Sequence, residues 1–219
     1  MFIRVLGPLA HSFGILAFIL MLAWLLCFRG GIDLYSAHHP NKILNVHPFL
    51  TFFGFIFIAG EAMMAYKTVP ASLERGTKKT VHLILHLIAI CMGILGVHAA
   101  FKFHDKQNIK DMYTLHSWIG ILTFFFFPLQ WVVGLIVFLL MARKGRAESM
   151  RSRMKPWHIT GGRVLLYMAI CAAMTGLMEM SPGGGHSGES KLVNVLGVVI
   201  LLFGITVDVS VAHGLLLPL

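Results

Sequence analysis

Residues 78–87 read KKTVHLILHL, two lysines followed by an apolar segment that carries His82 and His86. The apolar run continues to residue 103, and a stretch of about 20 largely apolar residues is what a helix needs to cross a bilayer core. Working outward, five more runs of this kind occur, at about 5–28, 46–66, 113–141, 157–178 and 193–217. Length, not periodicity, separates such runs from buried helices of a soluble domain. A chain of 219 residues that is 57% hydrophobic and 12% charged therefore predicts an all-α integral membrane protein. Residues 1–219 read as a single six-helix membrane unit with no separate soluble domain.

The first run follows Arg4 as a signal peptide would, but it is long and ends in CFRG without a small-residue cleavage pattern, so it reads as a helix. Cys27, Cys91 and Cys171 lie in or beside apolar runs, which is neither a disulfide framework nor a zinc motif. The net charge of +9 is not a nucleic-acid footprint, because the basic residues cluster in short connections. Residues 67–80 hold Lys67, Arg75, Lys78 and Lys79, and residues 142–156 hold Arg143, Lys144, Arg146, Arg151, Arg153 and Lys155. The other connections hold fewer, so the positive-inside rule places these two, and both termini, in the cytoplasm. The Gly/Ser-rich stretch 181–190 reads as a flexible loop on the other side.

Ionisable groups within a bilayer tend to mark function, and the chain has twelve histidines. Four stand near the starts of the second to fifth runs, in NVHP (His47), KTVHL (His82), YTLHSW (His116) and KPWH (His158). Successive helices alternate in direction, so His47 and His116 share one side and His82 and His158 the other. Depth agrees: His82 follows Lys79 by three residues and His158 follows Lys155 by three, while His47 follows Lys42 by five and His116 follows Asp111 by five. His86 would lie about 6 Å deeper than His82 and breaks the match.

Neutral imidazoles facing each other from two membrane helices suit the axial positions of a haem iron. With both positions filled, such a group carries electrons and does not bind oxygen. Two pairs at two depths predict two haem groups that form an electron path across the membrane. Gly54, Gly93 and Gly176 fall near the histidine faces and would leave room for a flat macrocycle, although helix packing alone enriches glycine. Zinc fits less well, since its sites gather three or four ligands at one point.

The stretches NVHPFL, GEAMMAYK, KKTVHL, FKFH, YTLHSWIG and KPWH, spanning residues 45–158, resemble the cytochrome b561 family, particularly its plant members. The resemblance implies two haem b groups in a central four-helix bundle of helices two to five, with His47 and His116 as ligands of the non-cytoplasmic haem and His82 and His158 as ligands of the cytoplasmic haem. It also implies electron transfer from cytoplasmic ascorbate to monodehydroascorbate or a ferric chelate across the membrane, and a homodimer. Two other readings compete: a proton- or metal-coupled transporter using intramembrane histidines, and a haem-bearing subunit that serves a partner protein.

Lys78 and Lys79 precede His82, and Arg153 and Lys155 precede His158. Positive charge at that mouth would attract an anion such as ascorbate, with Lys79 and Arg153 the strongest candidates. At the opposite end, FKFH places Lys102 and His104 near the outer haem, and the resemblance assigns this histidine to the acceptor site. His86, His98 and His11 read as packing or supporting residues, and His38, His39 and His186 as loop residues. Glu61 is expected to hydrogen-bond near the inner haem, and Asp208 has no evident partner in sequence.

Overall fold

Each apolar run folds as helix in a computed structural model of the chain, which describes residues 3–68, 74–140, 148–181 and 187–216. Arg143, Lys144, Arg146 and residues 182–186, His186 among them, lie outside the described residues. The elements are α1 (Ile3–Cys27), α2 (Pro40–Thr51), a π-helical segment (Phe52–Ile58), α3 (Ala59–Thr68), α4 (Arg75–Gln107), α5 (Leu115–Leu135), a second π-helical segment (Ile136–Leu140), α6 (Glu148–Met180) and α7 (Gly188–Leu216). They form six helical spans long and apolar enough to cross a membrane, with no strand among the described residues.

Local sequence fixes the ends. Pro40 opens α2, where its missing N–H costs nothing. Thr114 and Ser117 cap α5 reciprocally, each side chain accepting from the other's backbone N–H at 3.2 and 3.0 Å. Asn108 ends α4 in the left-handed region with φ 53°, a conformation asparagine tolerates. Helices α4 and α6 each run 33 residues, about 50 Å at 1.5 Å per residue. The apolar run marks only the lipid-facing part, and the basic flanks continue the helices beyond it. Lys78, Lys79, Arg151, Arg153 and Lys155 accordingly sit on helical extensions and not in loops.

Outward faces remain apolar, as at Ile19, Phe125 and Val198, which suits lipid and would be costly in water. The outer helices α1 and α7 pack lengthwise on each other, α1 also touching the second span and α7 touching α3 and α6. Phe203, fully buried, fills the space beside Gly14 and Gly60. Closest of all is the approach between the second span and α4. A Cβ on Gly54 would lie 2.8 Å from the Ala89 carbonyl, and one on Gly93 would lie 2.2 Å from the Phe55 ring. Ala89, Gly93 and Gly96 form a small-residue stripe on α4 that admits the neighbouring helix. Gly54 and Gly93 thus serve helix packing, the plainer of the two readings their sequence allows.

Among the described residues two ionisable pairs lie within the spans. His11 Nδ1 meets Glu61 at 2.9 Å, joining α1 to α3. Arg163 on α6 engages both carboxylate oxygens of Asp208 on α7, so Asp208 does have a partner, 45 residues away in sequence.

Candidate functional site

The bundle brings the four histidines together in two facing pairs. His47 on α2 and His116 on α5 have ring centres 5.7 Å apart. His82 on α4 and His158 on α6 have ring centres 6.3 Å apart. Between the two levels lies an aromatic layer in which Phe55 packs on Phe127 at 4.7 Å and on Phe124 at 6.4 Å.

Three of the four rings are oriented by backbone. Nδ1 of His47 lies 3.0 Å from the Gly96 carbonyl oxygen, Nδ1 of His82 lies 2.8 Å from that of Ala62, and Nδ1 of His116 lies 2.8 Å from that of Ala172. A carbonyl only accepts, so Nδ1 carries the proton in each case, and Nε2 presents its lone pair. That tautomer is what a metal ligand requires. The fourth ring differs: Nδ1 of His158 faces the side-chain amide nitrogen of Gln130 at 3.2 Å.

These residues fit axial coordination of a haem iron. Two imidazoles binding one metal from opposite sides, each at a metal–nitrogen distance of about 2 Å, have ring centres roughly 6 Å apart. The separations of 5.7 and 6.3 Å match that spacing. Glycine makes room beside two of the rings. A Cβ on Gly176 would lie 2.8 Å from His116, and one on Gly134 would lie 2.8 Å from His158. Gly176, expected on the histidine side of its helix, does lie against a histidine, but at the level opposite His158. Among the described residues no three His, Cys, Asp or Glu side chains gather as a metal site; the histidines meet in twos.

His86 stands edge-on to His82 at 4.5 Å and to Phe127 at 5.4 Å. It sits between the His82 level and the aromatic layer. Beside it, Trp131 of α5 donates Nε1–H to the Leu83 carbonyl at 3.1 Å, a strut between α5 and α4 next to His82.

Both ends carry charge. At the His82–His158 end, Arg75 and Arg151 are close enough to Lys79 to repel its charge, so cations from α4 and α6 converge there. Arg153, on the same extension as Arg151, is exposed, and Lys78 is half-buried. At the other end His104 Nδ1 lies 2.7 Å from Asp111, and the Lys102 ammonium stands 4.4 Å over the Tyr35 ring. Lys106 donates to the carbonyl oxygens of Ser36 and Ala37 at 2.7 and 2.9 Å. The connection between α1 and α2 is thereby pinned over the end of α4. Sequence reasoning misses Tyr35 and Lys106 because their partners lie about 70 residues away along the chain.

Residues 46–181, more than half the chain, match the family described as eukaryotic cytochrome b561. The chain belongs to that family. It is 39% identical over 207 residues to a probable ascorbate-specific transmembrane electron transporter of Oryza sativa subsp. japonica, covering 92% of this chain and 86% of the relative. Against a transmembrane ascorbate ferrireductase of Arabidopsis thaliana it is 38% identical over 201 residues, 89% of this chain and 82% of the relative. A transmembrane ascorbate-dependent reductase of Sus scrofa is 37% identical over 191 residues, 84% of this chain and 73% of the relative. As a cytochrome b561 the chain implies b-type haem, and the matched segment contains all four facing histidines.

Proposed function

We propose that this cytochrome b561 is a transmembrane oxidoreductase that moves electrons from cytoplasmic ascorbate, through two haem b groups, to monodehydroascorbate or a ferric chelate on the far side. The observation that carries the reading is the pairing of histidines at two levels, with Nδ1 of three rings engaged by backbone carbonyls and Nε2 left to coordinate. Relatives named for ascorbate-dependent electron transport and ferrireduction support the choice of donor and acceptor.

His82 and His158 would hold the cytoplasmic haem, and His47 and His116 the non-cytoplasmic one. Bound haem would supply reversible one-electron chemistry at each histidine pair. The protein's own residues do the rest. Carbonyls of Ala62, Gly96 and Ala172 hold the imidazoles in the coordinating tautomer. The aromatic layer of Phe55, Phe124 and Phe127 keeps water out of the space between the levels.

At the cytoplasmic mouth Lys78, Lys79 and Arg153 would gather the ascorbate anion, raising its local concentration. At the far end His104 and Lys102 would meet the acceptor, with Asp111 orienting the imidazole. The whole of residues 1–219 would act as one six-helix unit, with both termini cytoplasmic and two copies forming a homodimer.

The test is haem stoichiometry of the purified protein together with its visible spectrum and its reduction by ascorbate. Two haems per chain with a low-spin b-type spectrum, reduced on adding ascorbate, are expected. One haem per chain, or a spectrum that ascorbate leaves unchanged, would overturn the reading.

A further inference from the structure

Helix α5 reaches both helices that carry the His82–His158 pair, and does so from two consecutive residues. Trp131 turns to α4, where its indole N–H donates to the carbonyl oxygen of Leu83, next to His82, at 3.1 Å. Gln130 turns to α6, where its amide nitrogen donates to the carbonyl oxygen of His158 itself at 2.6 Å. Neighbouring side chains on a helix point about 100° apart, so adjacent positions grip different partners. Both acceptors are helical carbonyls with a second lone pair, and the added bonds need not break the helical ladder. Helices α4 and α6 each pack on α5 more than on each other.

Glycine clears the way on α6. A Cβ on Gly161 would lie 3.1 Å from Gln130 Oε1 and 3.3 Å from Nε2, so the amide occupies the space a side chain there would take. The amide nitrogen also stands 3.2 Å from Nδ1 of His158. Coordination through Nε2 puts the ring proton on Nδ1 and gives that contact up. The bond to the carbonyl does not depend on which ring nitrogen is protonated. His158 therefore differs from the other three histidines. Their rings are turned by backbone carbonyls of neighbouring elements. What is fixed at His158 is its own backbone.

We infer that Gln130 and Trp131 are positioning residues for the His82–His158 pair, holding the backbones of α6 and α4 from one helix and so setting the distance between the two ligands. The inference rests on the proposed haem-ligand role of that pair. Two imidazoles share one iron only over a narrow range of separation, since each nitrogen must lie about 2 Å from the metal. Ligand geometry of that precision needs supporting hydrogen bonds on rigid elements. The clamp supplies them at this level, where the ring centres stand 6.3 Å apart.

The experiment uses full-length protein and reads haem content, the low-spin ferric electron paramagnetic resonance signal of each haem, and the rate of haem loss to apomyoglobin. The signal missing from His82→Ala identifies the haem of this pair. Trp131→Phe keeps an aromatic ring and removes the N–H. Gln130→Leu keeps most of the volume and removes the amide. Each should shift the signal of the His82–His158 haem and speed its loss several-fold, leaving the other haem as in unmodified protein. The double variant should enlarge both effects on that same haem or release it alone. An unshifted signal with unmodified retention in both single variants would overturn the inference, and so would equal changes at both haems. Absence of two haems from the unmodified protein would instead overturn the functional reading beneath it.

Discussion

His11 and Glu61 face each other within the membrane spans, with Nδ1 at 2.9 Å from each carboxylate oxygen. The pair joins α1 to α3. It also lies one residue from Ala62, whose carbonyl orients His82. Anchoring of the outer helix is thus mechanically close to one histidine level. His11→Leu would leave the carboxylate without its donor in apolar surroundings, at a cost of about 1–3 kcal/mol. A lowered thermal midpoint in detergent is expected, with partial recovery in the His11→Leu/Glu61→Leu double variant. A double variant no more stable than the single one would show that the carboxylate is solvated by other means.

Arg163 and Asp208 tie α6 to α7 through a forked ion pair. The pair is only part-buried, and removing one member leaves the other charge without its partner in a largely apolar setting. Arg163→Leu should therefore destabilise the protein more than Arg163→Leu/Asp208→Leu does, measured by thermal unfolding in detergent. The four facing histidines do not touch this pair, so haem content of the folded fraction should not change.

The spans and the two histidine levels are legible in sequence because both depend on spacing along single helices. Apolar length marks the spans, and the distance from flanking charge marks depth. Contacts between helices are not legible in this way. Asp208 looks isolated until α6 and α7 pack, since nothing local points to Arg163. Carbonyls of Ala62, Gly96 and Ala172 carry no side-chain signal at all. Gln130 looks like one polar residue in an apolar run, and only the packing of α5 on α6 brings it to His158. Gly54 and Gly93 are used for close helix contact, the reading that small-residue packing alone already supports in sequence.

His82 and His86 lie 4.5 Å apart by ring centre, yet only His82 combines a backbone acceptor on Nδ1 with a facing histidine. His82→Ala should lose one haem of two. His86→Ala should keep both, with at most a shifted absorption band, because its ring packs edge-on against His82 and Phe127. Haem content by pyridine haemochrome distinguishes the two outcomes. Equal loss in both variants would show that position 86 is itself needed for ligation.

Convergence of Lys79, Arg75 and Arg151 concentrates positive charge at the His82–His158 end. Lys79→Ala and Arg153→Ala should slow ascorbate reduction several-fold while leaving haem content intact. The difference from unmodified protein should shrink in high salt, since steering by exposed charge is screened beyond about 8 Å at physiological ionic strength. Stopped-flow reduction at two salt concentrations reads both effects. Rates equal to the unmodified protein at low salt would return these residues to orientation signals alone.

His104 and Asp111 form the corresponding arrangement at the opposite end, 2.7 Å apart, with Lys102 held over Tyr35. The carboxylate accepts from Nδ1–H and so fixes the ring, leaving Nε2 as the nitrogen able to meet an acceptor. Because this group stands at the end of α4 remote from His82, its replacement should not affect entry of electrons at the proposed cytoplasmic mouth. His104→Ala should slow reoxidation of the haem band by monodehydroascorbate or ferric chelate added on the non-cytoplasmic side. Ascorbate-driven reduction from the other side should stay unchanged. Asp111→Asn, which still holds the ring but less strongly, should give a smaller effect in the same direction. Sealed, oriented vesicles separate the two half-reactions. If His104→Ala slowed reduction by ascorbate instead, the proposed orientation or the acceptor site would be wrong. If neither rate changed, the His104–Asp111 pair would be a clasp for the connection between α4 and α5 and nothing more.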